Sequence, residues 1–455
     1  MPTTGAPIEI ARARRQHDTR VGYRERVTAT TPLRSRRRGL GSLLRLGAAT
    51  ALVGVGAGLA VLLLVWTVHS LEHLVWGHEE GPFLDGVAFP DPWWLPIATV
   101  GGAGVVVATG WYLLRRFGRR LATVEQGVDG APMPWWETLV DSVLQVGSVA
   151  MGASIGKEVA PRELSAMAGS KIVRWFRLDA RWCRILIAAA AGAGLAAVYN
   201  VPLGGALFAI EILLAQFSVG AAVVALAASS IATLVARPLV GDGSLYSVAS
   251  VEVNASLIVA AILIGPLMGW GASSFSAVTK TLARFRPEGW RLLVVLPVAF
   301  AAVGALGAVF PLILGNGRAL AAVGFDLSQP ALLLVALAAM KYVATSVSLG
   351  AGAIGGTLQP SVAIGAALGA AAAAGWGFVW PGADGTALAI VAAAAFLAST
   401  MRAPFTAIAL VIEFTDTGFT LLVPIFLAVA GALAASRLTS RESLRRFAPI
   451  DPARA

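Results

Sequence analysis

Long apolar runs divide this chain of 455 residues. The uncharged stretches are Leu46–Val68, Leu95–Leu114, Ile185–Ile210, Ile212–Ala236, Ala255–Thr279, Leu292–Gly317, Tyr342–Ala383 and Thr417–Ser436. Because a helix needs about 20 apolar residues to cross a bilayer, several runs predict one crossing each. The run 342–383 has 42 residues and must contain at least two elements. The pattern predicts an all-α polytopic membrane protein.

Charge is distributed unevenly around the first run. Residues 1–45 contain eleven arginines and three acidic residues, which supplies +8 of the net charge of +10. The loop 72–94 has five acidic residues and neither Lys nor Arg, whereas 115–120, "RRFGRR", is basic again. Basic segments stay on the cytoplasmic side of a membrane. We therefore expect a cell-membrane protein with cytoplasmic N- and C-termini, and no nucleic-acid partner.

Landmarks in the sequence recur about 200 residues apart. "NVPLGGALFAIE", 200–211, matches "RAPFTAIALVIE", 402–413, in its proline and its glutamate. Upstream, "GASIGKEVAP", 152–161, matches "GAIGGTLQP", 352–360, in two glycines four residues apart and a following proline. Repeats with Gly/Pro-interrupted apolar segments are typical of transporter folds.

The repeat predicts the domain organisation. We expect a basic N-terminal segment at 1–45, a transmembrane domain at 46–436, and a short tail at 437–455 without a regulatory domain. The transmembrane domain should divide into halves at about 46–240 and 250–436. The single cysteine, Cys183, excludes an intramolecular disulfide framework.

The two interrupted segments predict a binding site. A helix that begins inside the membrane directs its free N–H groups and the positive end of its dipole inward, and such ends bind anions. We expect 152–161 and 352–360 to form two broken helices whose N-termini converge on one site. The alternative is helix–helix packing, because small residues four apart are common in membrane bundles.

The motifs resemble those of the CLC family of chloride channels and chloride/proton antiporters. "MKYVATSVSLGAGAIGGTLQPSVAIGAALG", 340–369, is similar to the family's Lys-Thr-Ser-Gly stretch and GGxFxP motif, and "GASIGKEVAP" is similar to GREGP. The resemblance covers about residues 46 to 436. It implies two inverted-topology repeats with re-entrant helices, a homodimer in the lipid bilayer, a separate anion path in each subunit, and no cofactor.

The resemblance also implies roles for particular residues. Glu158 matches the gating glutamate, whose carboxylate competes with the anion. Backbone amides of Val159, Thr357 and Leu358 match the anion-binding amides. The alternative for Glu158 is a buried pair with Lys157 or Arg162.

The chain departs from the family pattern at several positions. GKEVAP has one more residue than GREGP, so the register of the gate is open. Gly118 stands in place of the pore serine and Leu444 near the place of the pore tyrosine, which implies weak selectivity among monovalent anions. Ile212 replaces the inner proton-accepting glutamate, and Glu211 could substitute only if it faces the proton route. Glu413 matches Glu211 in the second half of the repeat, and it should accept hydrogen bonds from backbone amides or pair with Arg402.

Three functional alternatives remain open or are disfavoured. Ile212 favours a passive anion channel or transporter over a proton-coupled chloride antiporter, which stays the alternative. A cation or metabolite transporter would share the repeats, but its site commonly uses Asp, Asn or carbonyl oxygens. A membrane enzyme is disfavoured because the chain has neither HExxH nor a GxxxxGK[ST] loop.

His69, His73 and His78 could bind a metal or sense pH, but interfacial histidines are the simpler interpretation, and no metal site is predicted.

Overall fold

The computed structural model of the chain describes residues 40–77 and 92–439. Within these residues the chain is helical, apart from turns, short 3-10 segments and one isolated β-bridge. The sixteen α-helices described are α1 (Leu40–Trp76), α2 (Leu95–Phe117), α3 (Val124–Val128), α4 (Trp135–Ala150), α5 (Val159–Phe176), α6 (Ala180–Tyr199), α7 (Pro202–Phe208), α8 (Val219–Val240), α9 (Ala255–Arg284), α10 (Leu292–Val309), α11 (Arg318–Phe325), α12 (Ala331–Gly350), α13 (Leu358–Trp376), α14 (Gly385–Met401), α15 (Pro404–Thr415) and α16 (Leu422–Thr439).

Many of these helices are built for a bilayer. Within the described ranges, nine are long and apolar enough to cross a membrane: α1, α2, α6, α8, α9, α10 with its preceding turn, α12, α13 and α16. Large apolar side chains such as Leu63, Val106 and Leu263 point outward, where lipid can cover them. The chain is a multi-pass membrane protein.

The helices form two halves of the same design. Helices α1–α8 and α9–α16 correspond in order, and in each half the fourth helix is followed by a non-helical segment and a re-entrant fifth helix. The predicted class, two inverted-topology repeats with broken helices, is therefore confirmed. Residues 1–39 and 440–455 lie outside the described residues, so the N-terminal segment and tail stay predictions.

Turns divide two of the apolar runs. The run 342–383 breaks between α12 and α13, as its length predicts. The run 185–210 also breaks, because Asn200 ends α6 in the left-handed region at φ 56°. Arg402 ends α14 with the same φ, and a proline begins the next helix in each half. Asparagine adopts this conformation readily, but the hydropathy of the run 185–210 does not reveal that a helix ends within it.

Each half supplies the cap of a helix in the other. Glu413, in α15, accepts hydrogen bonds from the N–H groups of Leu203 and Gly204 at the start of α7, at 2.9 and 2.7 Å. Glu211, in the π-helical turn after α7, likewise accepts a bond from the Thr406 N–H in α15, at 2.7 Å. The first turn of a helix has unsatisfied N–H groups and a positive dipole end, so each carboxylate stabilises a helix start. Of the two expectations for Glu413, backbone capping is confirmed.

This arrangement predicts the effect of removing one cap. Glu413→Ala leaves two N–H groups without their acceptor and should destabilise the protein by about 1–2 kcal/mol, as for loss of a helix N-cap. The measurement is the thermal unfolding midpoint in detergent. Glu288→Ala, at an exposed carboxylate, is the matched control. Equal midpoints for both variants would show that the capping bonds contribute nothing.

Candidate functional site

The breaks in the two halves have the same backbone geometry. After α4 the chain turns at Gly152 with φ 104°, and after α12 it turns at Gly352 with φ 106°. Side chains rarely tolerate this region, so glycine is needed at both turns. The segments then pair in an antiparallel bridge: the Gly156 N–H donates to the Gly356 carbonyl at 2.8 Å, and the reverse bond is 2.9 Å.

The bridge brings two helix starts together. Helix α5 begins at Val159 and α13 at Leu358, two or three residues after the paired glycines. The predicted convergence of the N-termini is therefore confirmed. The packing alternative is wrong for these glycines, because Gly152, Gly156, Gly352 and Gly356 lie in the non-helical breaks rather than on helix faces.

The side chain of Glu158 occupies the point of convergence. It is 1% exposed, and its Oε1 accepts a hydrogen bond from the Leu358 N–H at 2.7 Å. Its Oε2 has no hydrogen-bond partner among the described residues. A Cβ added to Gly156 or Gly356 would overlap this carboxylate, so both glycines are required by the close approach of Glu158.

The chemistry of the site is that of backbone amides. The first N–H groups of α5 and α13 have no acceptor within their own helices, and the two positive dipole ends add at their meeting point. Val159 and Thr357 lie at these starts with Leu358. Because the Leu358 N–H donates to the Glu158 carboxylate, this amide is not free to bind another group while the side chain keeps this position.

Glu158 does not form the alternative ion pair. The Lys157 ammonium lies 6.0 Å above the centroid of the Tyr199 ring. The Arg162 Nε donates to the backbone carbonyl of Glu158 at 2.9 Å, and its guanidinium lies 4.9 Å above the Phe208 ring. Neither cation forms an ion pair with the Glu158 carboxylate.

Lys341, in the second half of the chain, holds in place the non-helical segment that follows α4 in the first half. Its side chain is fully buried in α12, and its ammonium has three donors. These reach the Ser154 hydroxyl at 3.0 Å and the carbonyls of Ile313 and Gly315 at 2.9 and 2.8 Å. All donors are thus satisfied, and the charge lies beside the broken segment. In the sequence, Lys341 is visible only as part of the motif at 340–369, which does not reveal this role.

A cavity of about 90 Å³ lies beside the site. Its lining includes Lys157, Tyr199, Arg318 and His69. The hydroxyl of Tyr199 and the Nε of Arg318 are buried without a hydrogen-bond partner among the described residues. These basic and hydrogen-bonding groups suit the approach of an anion. Tyr199 and Arg318 were missed because they come from α6 and α11, with no motif to connect them.

The remaining sequence-predicted residues lie elsewhere or outside the described ranges. Gly118 is exposed at the end of α2, beside Leu114 and Glu137, so its pore-lining role stays a prediction. Leu444 lies outside the described residues. The Glu211 carboxylate is engaged in capping α15.

The histidines do not form a metal site within the described ranges. His69 lines the cavity and His73 is exposed on α1, whereas His78 lies outside the described residues. No group of three potential ligands occurs in the part of the chain that is described.

Sequence comparisons agree with this geometry. A putative chloride channel protein, ClcB-like, from Ralstonia nicotianae is 30% identical over 87% of this chain and 95% of its own. The H(+)/Cl(-) exchange transporter ClcA of Yersinia pestis is 29% identical over 74% of each chain.

Two solved structures share the fold. A slow cyanobacterial Cl-/H+ antiporter has a TM-score of 0.76 and 24% identity, covering 88% of this chain and 97% of its own. A CLC-type fluoride/proton antiporter has a TM-score of 0.69 and 22% identity, with the same coverage. The model of the family described as voltage gated chloride channel matches residues 102–437. The chain belongs to this CLC family of voltage gated chloride channels.

Proposed function

We propose that the chain moves small monovalent anions, chloride among them, across the cell membrane through the site at Glu158. The observation that carries this proposal is the bond from the Leu358 N–H to the Glu158 carboxylate at the meeting point of two helix starts. A carboxylate there resembles a bound anion in charge and in hydrogen bonding. Displacement or protonation of Glu158 would free the amides of Val159, Thr357 and Leu358 for the permeant ion.

The charge of the site favours anions over other substrates. A cation transporter would present carbonyl oxygens or the negative ends of helices at its break. Here both re-entrant helices begin at the site, and Lys157, Arg318 and Lys341 lie in or near it. These groups support ion transport rather than catalysis.

We extend the proposal to assembly and orientation. The family membership and the relatives' names favour a membrane transporter, and we expect two copies of the chain, each with its own anion path. The basic segment 115–120 begins in the last turn of α2 and precedes α4, so we assign this side to the cytoplasm. The cavity at Lys157 then faces outward.

The first prediction concerns the gate. Glu158→Gln should change anion flux and remove its dependence on the pH of the solution that reaches the Lys157 cavity, because no carboxyl remains to protonate. The measurement is anion efflux from liposomes with the outer pH varied. Glu252→Gln, at an exposed carboxylate, is the control. Unchanged flux and pH profile in Glu158→Gln would refute the assignment.

The second prediction concerns the glycine beside the gate. Gly356→Ala should lower thermal stability and flux, because the added Cβ overlaps the Glu158 carboxylate. All three nearest atoms to that Cβ belong to Glu158, so the double variant Gly356→Ala/Glu158→Ala should recover the stability of Glu158→Ala. Gly375→Ala, with no atom near the added Cβ, is the control. Failure of the second substitution to restore stability would contradict this packing.

The third prediction is that transport is not tightly coupled to protons. Ile212 cannot carry a proton, and Glu211 is engaged by the Thr406 N–H and hydroxyl at 2.7 and 2.6 Å. A chloride gradient should therefore drive no sustained uphill proton movement into sealed liposomes. Sustained pumping would overturn the proposal, and its loss in Glu211→Gln would then identify Glu211 as the relay.

A further inference from the structure

Two carboxyl groups share one amide nitrogen inside the transmembrane domain. The Nε2 of Gln145 donates to Asp141 Oδ2 at 2.7 Å and to Glu163 Oε2 at 2.9 Å. The indole of Trp111 donates to Asp141 Oδ1 at 2.9 Å. Asp141 is 3% exposed and Gln145 2%, while Glu163 is partly buried. The anion site uses none of these groups.

Within the described residues, no cation forms an ion pair with either carboxyl group. The charged groups that face them are Arg115 from α2, Glu125 from α3 and Arg162 from α5. The ion pairs found in the described residues, Arg119–Glu137 and Arg184–Asp129, involve neither Asp141 nor Glu163. Two carboxylates joined through one amide, one of them buried and neither of them in an ion pair, do not both remain ionised.

The amide that joins them is also incompletely satisfied. Gln145 Oε1 is buried and has no hydrogen-bond donor among the described residues. A buried amide oxygen without a donor is costly. In the present orientation both N–H groups of the amide donate to the two carboxyl groups, so the amide holds the carboxyls together and a proton on one of them removes the repulsion between them.

We propose that Asp141, Gln145 and Glu163 form a proton-binding site, in which one proton is held between two carboxyl groups. No bond other than O–H forms or breaks: the site takes its proton from the aqueous side at which α4 begins and returns it there. That side carries the basic loop 115–120.

The position of the site gives it an effect on anion transport. Glu163 follows Glu158 by five residues on α5, about 7.5 Å along a helix axis. The apolar side chains of Val146, Ala150, Ala160 and Leu164 pack together in this part of α4 and α5, so the interaction is electrostatic rather than a hydrogen-bonded chain. Loss of the shared proton adds a negative charge near the anion site. Flux should therefore fall as the pH rises on the side at which α4 begins.

Infrared spectroscopy tests the proton itself, independently of any transport assignment. At neutral pH the wild-type protein should show a carbonyl stretch from a protonated carboxyl that disappears in Glu163→Gln and in Asp141→Asn. Glu125→Gln, at the exposed neighbour, should retain it. A band unchanged in both site variants, or absent from the wild type, would overturn the proposal.

Isotope labelling keeps this test decisive if the site variants fail to fold. Asp141 is the buried aspartate of the described residues. Carboxyl-labelled aspartate and carboxyl-labelled glutamate in separate wild-type samples should each perturb the band, because the proton is shared between the two residue types. A band that responds to neither label, or to glutamate alone, would overturn a shared proton.

A flux assay tests whether loss of the shared proton lowers anion transport, and this experiment rests on the proposed function. In Glu158→Ala, which removes the carboxyl of the proposed gate, flux should still fall as pH rises on the side at which α4 begins. Adding Glu163→Gln should abolish that dependence, and adding Glu125→Gln should leave it. An unaltered profile with Glu163→Gln would refute the electrostatic effect. Absence of anion flux in every protein would refute the transport proposal, while the infrared result would still decide the proton site.

Discussion

The pair of hydrogen bonds between Gly156 and Gly356 determines the architecture of the site. Two chain segments that leave their helices inside a membrane expose backbone groups that lipid cannot satisfy. Each segment satisfies the other at this bridge. The helices that follow must then begin at the same place, so the positive ends of α5 and α13 meet. The site therefore results from the hydrogen bonds by which the two non-helical segments satisfy each other's backbone groups.

The electrostatic potential at the site comes from backbone dipoles, from the Glu158 carboxylate and from the Lys341 ammonium, and each has a different role. Backbone dipoles provide an attraction that stays fixed, whereas in the proposed function the Glu158 carboxylate is a negative charge that can move away. Lys341 has all three of its donors engaged by Ser154, Ile313 and Gly315. A cation held this firmly cannot bind the permeant ion tightly itself, but it stabilises the broken segment on which the amides depend.

The sequence predicted the two breaks and the position of Glu158 in one of them, because both depend on residues that are close together in the chain. Glycine and proline at matching positions identified where helices stop and begin, and Glu158 stands in such a segment. The partners were not predictable in the same way. Asp141 and Glu163 lie 22 residues apart on different helices, and only the packing of α4 against α5 places one amide between them. The break at Asn200 was also hidden, because it depends on a backbone angle in an uncharged run.

The exchange of caps between Glu211 and Glu413 has a consequence for how the protein is made. When the ribosome has produced only the first half, the start of α7 still lacks its acceptor, because Glu413 lies 209 and 210 residues beyond the amides it serves. The first N–H groups of α7 therefore have no carboxylate acceptor until the second half is inserted into the membrane. Because each half supplies the acceptor for a helix start in the other, either half produced alone would contain a helix whose first N–H groups lack their carboxylate.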